Sequence, residues 1–347
     1  MKFFKLLLFL LLSGSFATLQ AQDIHFSMFN MMPTMLNPAH TGAFSGTVRV
    51  GGIYRSQWGS FLNDQFKTPA FYADAPLFVV RKSDWVGAGL TVYQDKAGSL
   101  GLKNGGFLLS ASYHLAMDKR RNNVITLGLQ GGTVQRQFDD MMVTQARFAD
   151  QLEMGNTSNP SASPDFQVLN GMGTNHFDLN AGLLLTSKAN KNTLFRIGLA
   201  GHHLLSPKYG LINENSEADE NKLPVRLTLH GDLEYKINEK WSINPHLVAM
   251  TINNQNVVNI LGWAGYKVNE EKDVTLRFGL GIRPIRDAEV LLGVDVGDLR
   301  VAASYDLNVS SLQDATDLQG GFELGAWYII KAYPTPEIPP VILCPEL

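Results

Sequence analysis

The chain has 347 residues, of which 45% are hydrophobic and 18% are charged, and its formal net charge at pH 7 is -3. This composition is too apolar for a disordered chain, and the nearly balanced charge gives no indication of a nucleic-acid partner. Because Cys344 is the only cysteine, an internal disulfide is impossible and a thiolate metal site is excluded.

The first 21 residues predict a secretory signal peptide. Lys2 and Lys5 flank the start of an apolar run at residues 6–12, and small residues follow up to Ala21. The run is shorter than the roughly 20 apolar residues that a membrane-spanning helix needs. We therefore expect cleavage after Ala21. A lipoprotein is not indicated, because the residue directly after that position is Gln22 and not a cysteine.

Residues 22–45 precede the first predicted strand, and we expect this N-terminal segment to lie in the periplasm or to plug a barrel. Residues 46–331 then contain fourteen stretches in which apolar and polar residues alternate. In Val274–Arg283 every even position is apolar and every odd position is polar, charged or glycine, as in a strand with one apolar face. The predicted strands span residues 46–56, 71–80, 84–95, 105–116, 123–138, 176–187, 193–203, 223–236, 241–251, 257–268, 274–284, 288–296, 299–307 and 321–331. A Pro-rich tail, residues 332–347, follows them.

The links between these strands differ according to their position in the chain. Links after even-numbered strands are short and polar, whereas most links after odd-numbered strands are longer and rich in Gly, Ser, Asn and Pro. Bacterial outer-membrane barrels have an even number of strands, short periplasmic turns and long external loops. We therefore predict an all-β, transmembrane outer-membrane antiparallel barrel of about fourteen strands, with its termini on the periplasmic side.

The polar face of the predicted strands carries charges of both signs. The inward positions include Arg226, Asp232, Glu234, Arg277, Arg283, Arg300, Asp306 and Glu323. A barrel in lipid explains this pattern, because its apolar face meets the membrane and its charged face lines the lumen. Two functions stay open for these residues: cross-strand ion pairs that stiffen the wall, or a surface that binds a polypeptide or a solute.

Aromatic residues near the short links predict a girdle at one membrane interface. They are Trp85, Tyr113, Tyr235, Trp241, Tyr266 and Tyr328. The alternative is the aromatic core of a soluble sandwich, which the charged face disfavours. Trp263 lies at a position whose side chain is expected to point into the lumen. Gly279 and Gly281 are also inward positions, at which neighbouring groups can approach the wall.

The residues do not predict catalysis. No spacing of His, Asp and Glu indicates a metal site, and no glycine-rich loop indicates a nucleotide, so no cofactor is predicted. His202 and His203 are adjacent on a predicted strand and are expected to face opposite ways. A Ser-His pair of a membrane phospholipase is possible by residue type, but no local motif supports it.

Several short motifs carry a family resemblance. They are Gln22-Asp23-Ile24-His25-Phe26-Ser27, Asn37-Pro38-Ala39-His40-Thr41-Gly42, Tyr54-Arg55-Ser56-Gln57-Trp58, Ser112-Tyr113-His114, Gly128-Leu129-Gln130, Ser304-Tyr305-Asp306 and Ile342-Leu343-Cys344-Pro345. In this order they resemble the PorP/SprF family of outer-membrane proteins of the type IX secretion system. Met28, residues 30–32 and the acidic ending after Cys344-Pro345 depart from the family pattern.

The resemblance implies a noncatalytic component of protein export, in some systems linked to gliding. Its implied partners are the C-terminal domain of a secreted surface protein, periplasmic ring or peptidoglycan-linked components, and outer-membrane lipid. The implied partner-binding residues are Asn37, Pro38, Thr41, Gly42, Tyr54, Arg55 and Trp58. The tail is expected to extend along a periplasmic partner, because its five prolines disfavour a helix. The alternative function is a porin or a hydrophobic-solute channel.

Overall fold

The computed structural model describes residues 23–59, 66–81, 83–98, 100–139, 173–210, 222–253, 255–310 and 313–332. The predicted signal peptide and the tail beyond Ala332, which includes Cys344, lie outside the described residues. In the described part of the chain, no helix has the length and apolarity to cross a membrane.

Fourteen strands of the described residues form one closed antiparallel barrel in sequence order, and the first strand pairs with the last. The strands are β1 (Val48–Gln57), β2 (Phe66–Val79), β3 (Trp85–Ala97), β4 (Leu102–Ala116), β5 (Asn123–Gln137), β6 (Gly173–Asn190), β7 (Thr193–His202), β8 (Arg226–Lys236), β9 (Trp241–Ile252), β10 (Gln255–Asn269), β11 (Val274–Arg283), β12 (Asp287–Val296), β13 (Leu299–Asn308) and β14 (Gln319–Ile330). The predicted number and order of strands are confirmed. The largest boundary difference is at β2, which begins five residues earlier than predicted.

The two ends of the barrel differ in their links, as the sequence predicts. Six links of two to six residues follow the even-numbered strands and define the short-turn end. Gly297 in the β12–β13 turn has a φ of 56°, the left-handed conformation that tight hairpin turns use. Strands β5 and β7 end at Gln137 and His202 at the opposite end, where the long links at residues 138–172 and 203–225 begin, and we call it the long-loop end. In an outer-membrane barrel, the short-turn end faces the periplasm.

The outer face of the wall is apolar. Leu183, Leu229 and Phe278 are among the many large hydrophobic side chains that point away from the barrel and are exposed. A surface of this kind is stable when lipid covers it. Tyr235 and Trp241 form part of the predicted girdle and are exposed at the short-turn end.

One predicted member of the girdle is wrong. Trp85 is only 2% exposed and stacks on the His114 ring inside the barrel, with 4.4 Å between the ring centroids. Its indole Nε1 donates to the carbonyl oxygen of Gly42 at 3.1 Å. Trp85 therefore packs inside the barrel and does not lie at the membrane interface.

Residues 23–47 run through the lumen, and we call them the lumen segment. Three short helical turns shape it: a 3-10 turn at Phe29–Met31, helix α1 at Pro33–Leu36 and a 3-10 turn at Pro38–His40. The segment starts at the long-loop end, where Asp23 contacts His203, and ends at the short-turn end, where Thr47 N donates to Ile330 O at 2.8 Å. Asp23, the first described residue, therefore lies at the long-loop end, and the assignment of residues 22–45 as a periplasmic or plug segment stays a prediction.

The middle of the lumen contains an apolar core. Its members from the lumen segment are Phe26, Met28, Phe29, Met31 and Met32, and its members from the wall include Ile53, Leu108, Val134, Val248, Leu261, Trp263 and Leu291. These inward apolar residues interrupt the alternation, which explains the weak period-two pattern of β10. Gly279 makes space for Trp263, because a Cβ at Gly279 would lie 2.9 Å from the indole.

Candidate functional site

Asn37 connects the lumen segment to three strands. Its Nδ2 donates to the carbonyl oxygens of Leu183 (β6) at 3.0 Å and Leu199 (β7) at 3.4 Å, and it lies 3.0 Å from Nε2 of His230 (β8). Its Oδ1 accepts a hydrogen bond from Ala39 N at 2.8 Å, which caps the following 3-10 turn. Asn37 is fully buried, so its described contacts are all internal to the protein.

Three wall glycines allow this part of the lumen segment to approach the wall. A Cβ at Gly182 would overlap Asn37 Oδ1, and one at Gly198 would lie 2.8 Å from Asn37 Nδ2. A Cβ at Gly128 would overlap the backbone of Ala39. The close packing of the lumen segment against the wall therefore requires both the Asn-Pro-Ala sequence and the glycines on β5, β6 and β7.

Thr41 is held by a polar cluster on β4. Its Oγ1 donates to Ser110 Oγ at 2.9 Å, and Ser112 Oγ donates to its carbonyl oxygen at 2.5 Å. His114 Nε2 lies 2.9 Å from both Ser112 Oγ and the carbonyl oxygen of Thr41. Ser112 and His114 form the kind of pair that the residue types allow for a hydrolase. Both are buried against Thr41, where they hold the lumen segment.

Gly42 follows Thr41 in a left-handed conformation with a φ of 68°. Its N donates to Asp74 Oδ2 at 2.7 Å, and Asp74 also receives two hydrogen bonds from Arg49, at 3.0 and 2.9 Å. Arg49 Nη2 also donates to the carbonyl oxygen of His40 at 3.2 Å. A buried ion pair of β1 and β2 thus fixes the short-turn end of the segment.

At the long-loop end, a charged cluster holds Ser27. Its backbone N donates to Glu323 Oε1 at 2.7 Å, and its Oγ donates to Asp306 Oδ2 at 2.8 Å. Arg55 pairs with Glu323, and Arg283 Nη2 donates to Asp306 at 2.8 Å. Arg55, Arg283, Asp306 and Glu323 therefore form cross-strand ion pairs that also bind the lumen segment.

Asp23 is held between His203 and Arg226. His203 Nε2 lies 3.0 Å from Asp23 Oδ2, Arg226 Nη1 pairs with the same oxygen, and His203 Nδ1 lies 3.0 Å from Asp178. Burial alone would lower the pKa of His203, but Asp23 and Asp178 raise it to about 9. Burial opposes ionisation of Asp23, yet Arg226 and His203 hold its pKa below its usual range. We call Asp23, His203, Arg226 and Asp178 the clasp.

The expected orientation of His202 and His203 is wrong. Strand β7 ends at His202, and His203 has a φ of 58°, so period-two alternation no longer applies. His202 Nε2 lies 3.3 Å from the carbonyl oxygen of Leu36, and His203 contacts Asp23. Both rings therefore contact the lumen segment. Sequence reasoning missed this because no local signal marks where β7 ends.

The remaining predicted lumen residues lie on the inner wall near the short-turn end. Asp232 pairs with Arg196 at 2.7 Å. Arg277 and Arg300 share Asp295, with nitrogen–oxygen distances of 2.5 and 2.7 Å. The predicted ladder of cross-strand ion pairs is thus present. The described residues contain no group of three His, Cys, Asp or Glu side chains that could hold a metal ion.

Two sets of cavities flank the lumen segment. At the short-turn end, cavities of ≈ 180 and ≈ 760 Å³ share Lys236, Ser242 and Arg277 in their linings. At the long-loop end, cavities of ≈ 240 and ≈ 30 Å³ share Asp23 and Ile252. No described residue lines cavities of both sets, because the apolar core lies between them.

The predicted partner-binding residues occupy different environments. Asn37, Pro38, Thr41 and Gly42 are buried in the lumen segment, and Arg55 is buried beside Ser27. Tyr54 lies on the outer face of β1 and is exposed. Trp58 follows β1 at the long-loop end, where its ring contacts Phe66 edge to face at 5.4 Å. The structure brings Asn37, Pro38, Thr41 and Gly42 together in one part of the lumen segment, holds Arg55 at the other end of that segment, and leaves Tyr54 and Trp58 apart. The role of all seven in partner binding stays a prediction.

The fold is similar to those of solved channel proteins. The CymD monoaromatic hydrocarbon channel has a TM-score of 0.50 and 11% sequence identity, over 88% of this chain and 94% of that chain. The toluene transporter TbuX of Ralstonia pickettii has a TM-score of 0.49 and 12% identity, over 86% and 93% of the two chains. At such low identity, the likeness to CymD shows a shared barrel fold alone. No match to a curated protein was found.

The family model described as type IX secretion system membrane protein PorP/SprF matches residues 18–328. The match covers the lumen segment, strands β1 to β13 and most of β14. Together with the closed barrel and its apolar outer face, it confirms the prediction of an outer-membrane protein. The chain therefore belongs to the PorP/SprF family of type IX secretion system membrane proteins.

Proposed function

We propose that this protein is a plugged docking barrel of the type IX secretion system. Its long-loop end binds the C-terminal domain of a secreted surface protein, and its short-turn end connects that protein to periplasmic ring or peptidoglycan-linked components. The family supports a place in the export machinery. The single observation that carries the docking function is the apolar core around Met28, Phe29, Met31 and Met32 in the lumen.

The apolar core argues against solute passage as the main activity. A water-filled channel has a polar lumen, whereas this lumen is crossed by the lumen segment and packed with methionine and aromatic side chains at its middle. The segment is also bonded at both ends, by Asp23 to Arg226 and by Gly42 to Asp74. Opening a path would break these contacts together.

The long-loop end has the features of a protein-binding surface. The links at residues 138–172 and 203–225 are the longest in the barrel and contain more Asp and Glu than Lys and Arg. Loops on a rigid scaffold commonly carry recognition, and an acidic surface favours a partner with basic residues. The substrate's C-terminal domain would meet this surface on the outside of the cell.

The alternative function is a channel for hydrophobic solutes, and the barrel likeness to CymD is the reason to test it. Neither the family nor the fold indicates an enzyme. A channel would conduct or transport solute as the isolated barrel, whereas a docking barrel would not need to. The two functions therefore differ in whether the purified barrel conducts or transports solute.

The test combines capture and conductance on the same preparation. The detergent-extracted protein should retain a purified C-terminal domain from a type IX substrate of the same cell, and it should show no stable conductance in a planar bilayer. The variant Asn37→Ala/Pro38→Ala serves as a probe of the lumen segment, with heat-modifiability on gels as the check of barrel folding. Absence of capture together with solute-selective conductance would reject the docking function in favour of the channel.

A further inference from the structure

Charge is unevenly distributed around the short-turn end. The turns β2–β3, β4–β5 and β6–β7 are consecutive around the rim, and we call them, together with Lys188 at the end of β6, the basic arc. The described cations of this arc that project from the rim are Arg81, Lys119, Arg120, Lys188 and Lys191. The opposite arc consists of the turns β8–β9, β10–β11 and β12–β13. It carries Glu239, Glu270, Glu271, Asp273 and Asp298 beside Lys240 and Lys272.

The five projecting cations of the basic arc make no ion pair with any described residue, whereas Arg121 in the β4–β5 turn is buried and lies over the Trp85 ring. The two carboxylates in these turns are already engaged. Asp84 accepts hydrogen bonds from Tyr113 Oη at 2.9 Å and from Ala116 N at 3.0 Å. Asp118 accepts bonds from the backbone amides of Arg120 and Asn123, both at 2.8 Å. The basic arc therefore presents uncompensated positive charge.

The opposite arc has the reverse balance of charge, with five carboxylates beside Lys240 and Lys272. Two of these carboxylates also pair with lysines outside the turns: Lys267 Nζ lies 3.0 Å from Asp273 Oδ1, and Lys331 Nζ lies 2.6 Å from Asp298 Oδ1. Two halves of the same rim, built from the same kind of turn, thus differ in the sign of their net charge. Hairpin geometry does not explain this difference, because tight turns accept either sign of charge.

The basic arc is also a fixed surface with an apolar component. Lys188 N donates to Asn122 O at 2.8 Å and Ser187 Oγ donates to Asn123 Oδ1 at 2.6 Å, which joins the β4–β5 turn to the end of β6. Met117 in that turn is 61% exposed. The basic arc thus presents one exposed apolar side chain beside its cations.

The asymmetry decides which partner fits. Phospholipid head groups surround a barrel on all sides, so a surface that only bound anionic lipid would carry cations around the whole rim. Here cations outnumber carboxylates on one half of the rim, and carboxylates outnumber cations on the other. We propose that the basic arc is the docking surface for an acidic polypeptide surface of a periplasmic component, a proposal that rests on the docking function above and assigns its periplasmic contact.

The test uses site-specific photocrosslinking of the full chain in the native outer membrane. p-Benzoylphenylalanine is placed at Lys191 on the basic arc and, as the matched position, at Lys272 on the opposite arc. The expected result is a protein adduct at position 191 and none at 272. Mass spectrometry of the adduct should identify a contact peptide with net negative charge.

Charge reversal then tests the electrostatic cause. With the photoprobe at 191, Lys119→Glu/Arg120→Glu should lower the adduct by about tenfold or more, because like charges across an interface are strongly unfavourable. The control Lys240→Glu/Lys272→Glu makes the same charge change on the opposite arc and should leave the adduct nearly unchanged. Both variants alter exposed turn residues, and heat-modifiability verifies that each barrel is folded.

Three results would overturn the proposal: adducts to lipid alone, equal protein adducts at both positions, or an adduct that survives Lys119→Glu/Arg120→Glu. Capture of the secreted C-terminal domain at the long-loop end is measured on the same variants. Unchanged capture with a lost adduct supports the assigned surface. Lost capture with an intact adduct would instead contradict the substrate part of the proposed function and leave the basic arc supported.

Discussion

Asn37 joins the lumen segment to β6, β7 and β8 through one buried amide. Asn37→Ala removes these bonds and leaves an unfilled space beside Gly182. We expect a loss of stability on the order of 2–4 kcal/mol, because the buried polar partners of Asn37 lose their hydrogen bonds. The temperature of the gel shift between folded and unfolded barrel measures this loss, and an unchanged temperature would contradict the role of Asn37.

The wall glycines provide a complementary test from the other side of the contact. Gly182→Ala should also lower the gel-shift temperature, since its Cβ would overlap Asn37 Oδ1. The control is Gly262→Ala on β10, where the nearest atom to a new Cβ is Leu280 O at 3.9 Å. We expect Gly262→Ala to be neutral or slightly stabilising. If both variants lowered the gel-shift temperature by a similar amount, the cause would be the strand propensity of the new residue and not its contact with Asn37.

The clasp predicts a pH dependence at the long-loop end. The pKa of His203 is raised from 6.5 to about 9, so protonated His203 stabilises the folded state. Its contribution is fully present below about pH 6.5 and is lost as the pH rises through about 9. We therefore expect the urea midpoint of the wild type to approach that of His203→Gln between these pH values. Parallel curves for the two proteins from pH 6 to 10 would contradict the clasp.

At the scale of the strand, the two faces should respond differently to charge. Leu229 and Phe278 are 51% and 50% exposed on the outer face. Leu229→Arg or Phe278→Arg should each cost roughly 2–4 kcal/mol near the membrane midplane. Thr275→Arg should be milder, because Thr275 lines the short-turn cavity of ≈ 760 Å³. The yield of folded barrel in the outer membrane is the measurement, and equal losses in all three variants would refute the assignment of faces.

A residue on the inward face of a strand cannot always be replaced by arginine. Thr228 alternates with Leu229 and faces the lumen, yet it is only 1% exposed. An arginine there has no space, so we expect Thr228→Arg to be as damaging as the lipid-face variants. The structure thus separates inward positions that line a cavity from those that are packed.

The strands could be predicted from the sequence because most of them repeat a local period of two. Strand β10 shows where that local rule weakens. Leu261 and Trp263 are inward and apolar because they pack on the lumen segment, a contact that alternation cannot reveal. Trp85 was placed on the wrong side for the same reason, since its partners Gly42 and His114 meet it only in the closed barrel.

The candidate site was less predictable than the fold. The family resemblance marked Asn37, Pro38, Thr41 and Gly42, but their contacts with the wall depend on side chains far away in the chain. The hydrogen bond from Ser27 N to Glu323, for example, joins residues 296 positions apart. The sequence contains both residues, but nothing in its local pattern places one against the other.

At the scale of the whole molecule, the path of the lumen segment predicts a topology. An epitope tag in residues 158–164, which lie outside the described residues, should be labelled on intact cells. A tag inserted before Asp23 should also be labelled, because Asp23 lies at the long-loop end with His203. A tag in the turn at residues 191–192 should be labelled only after permeabilisation. If intact cells were labelled at the turn but not at the other two sites, the barrel would have the opposite orientation in the membrane.

The closing seam of the barrel lies between β1 and β14, where Arg55 is directly opposite Glu323. The same Glu323 accepts hydrogen bonds from Ser27 N and Met28 N, at 2.7 and 2.8 Å. The last strand of the barrel therefore supplies the carboxylate that binds residues of the lumen segment, which precedes the first strand. Contacts of such long sequence separation form late and slowly. Closure of the wall and docking of the lumen segment thus depend on one carboxylate, and a chain cut short before β14 would lack the acceptor of the Ser27 and Met28 backbone amides.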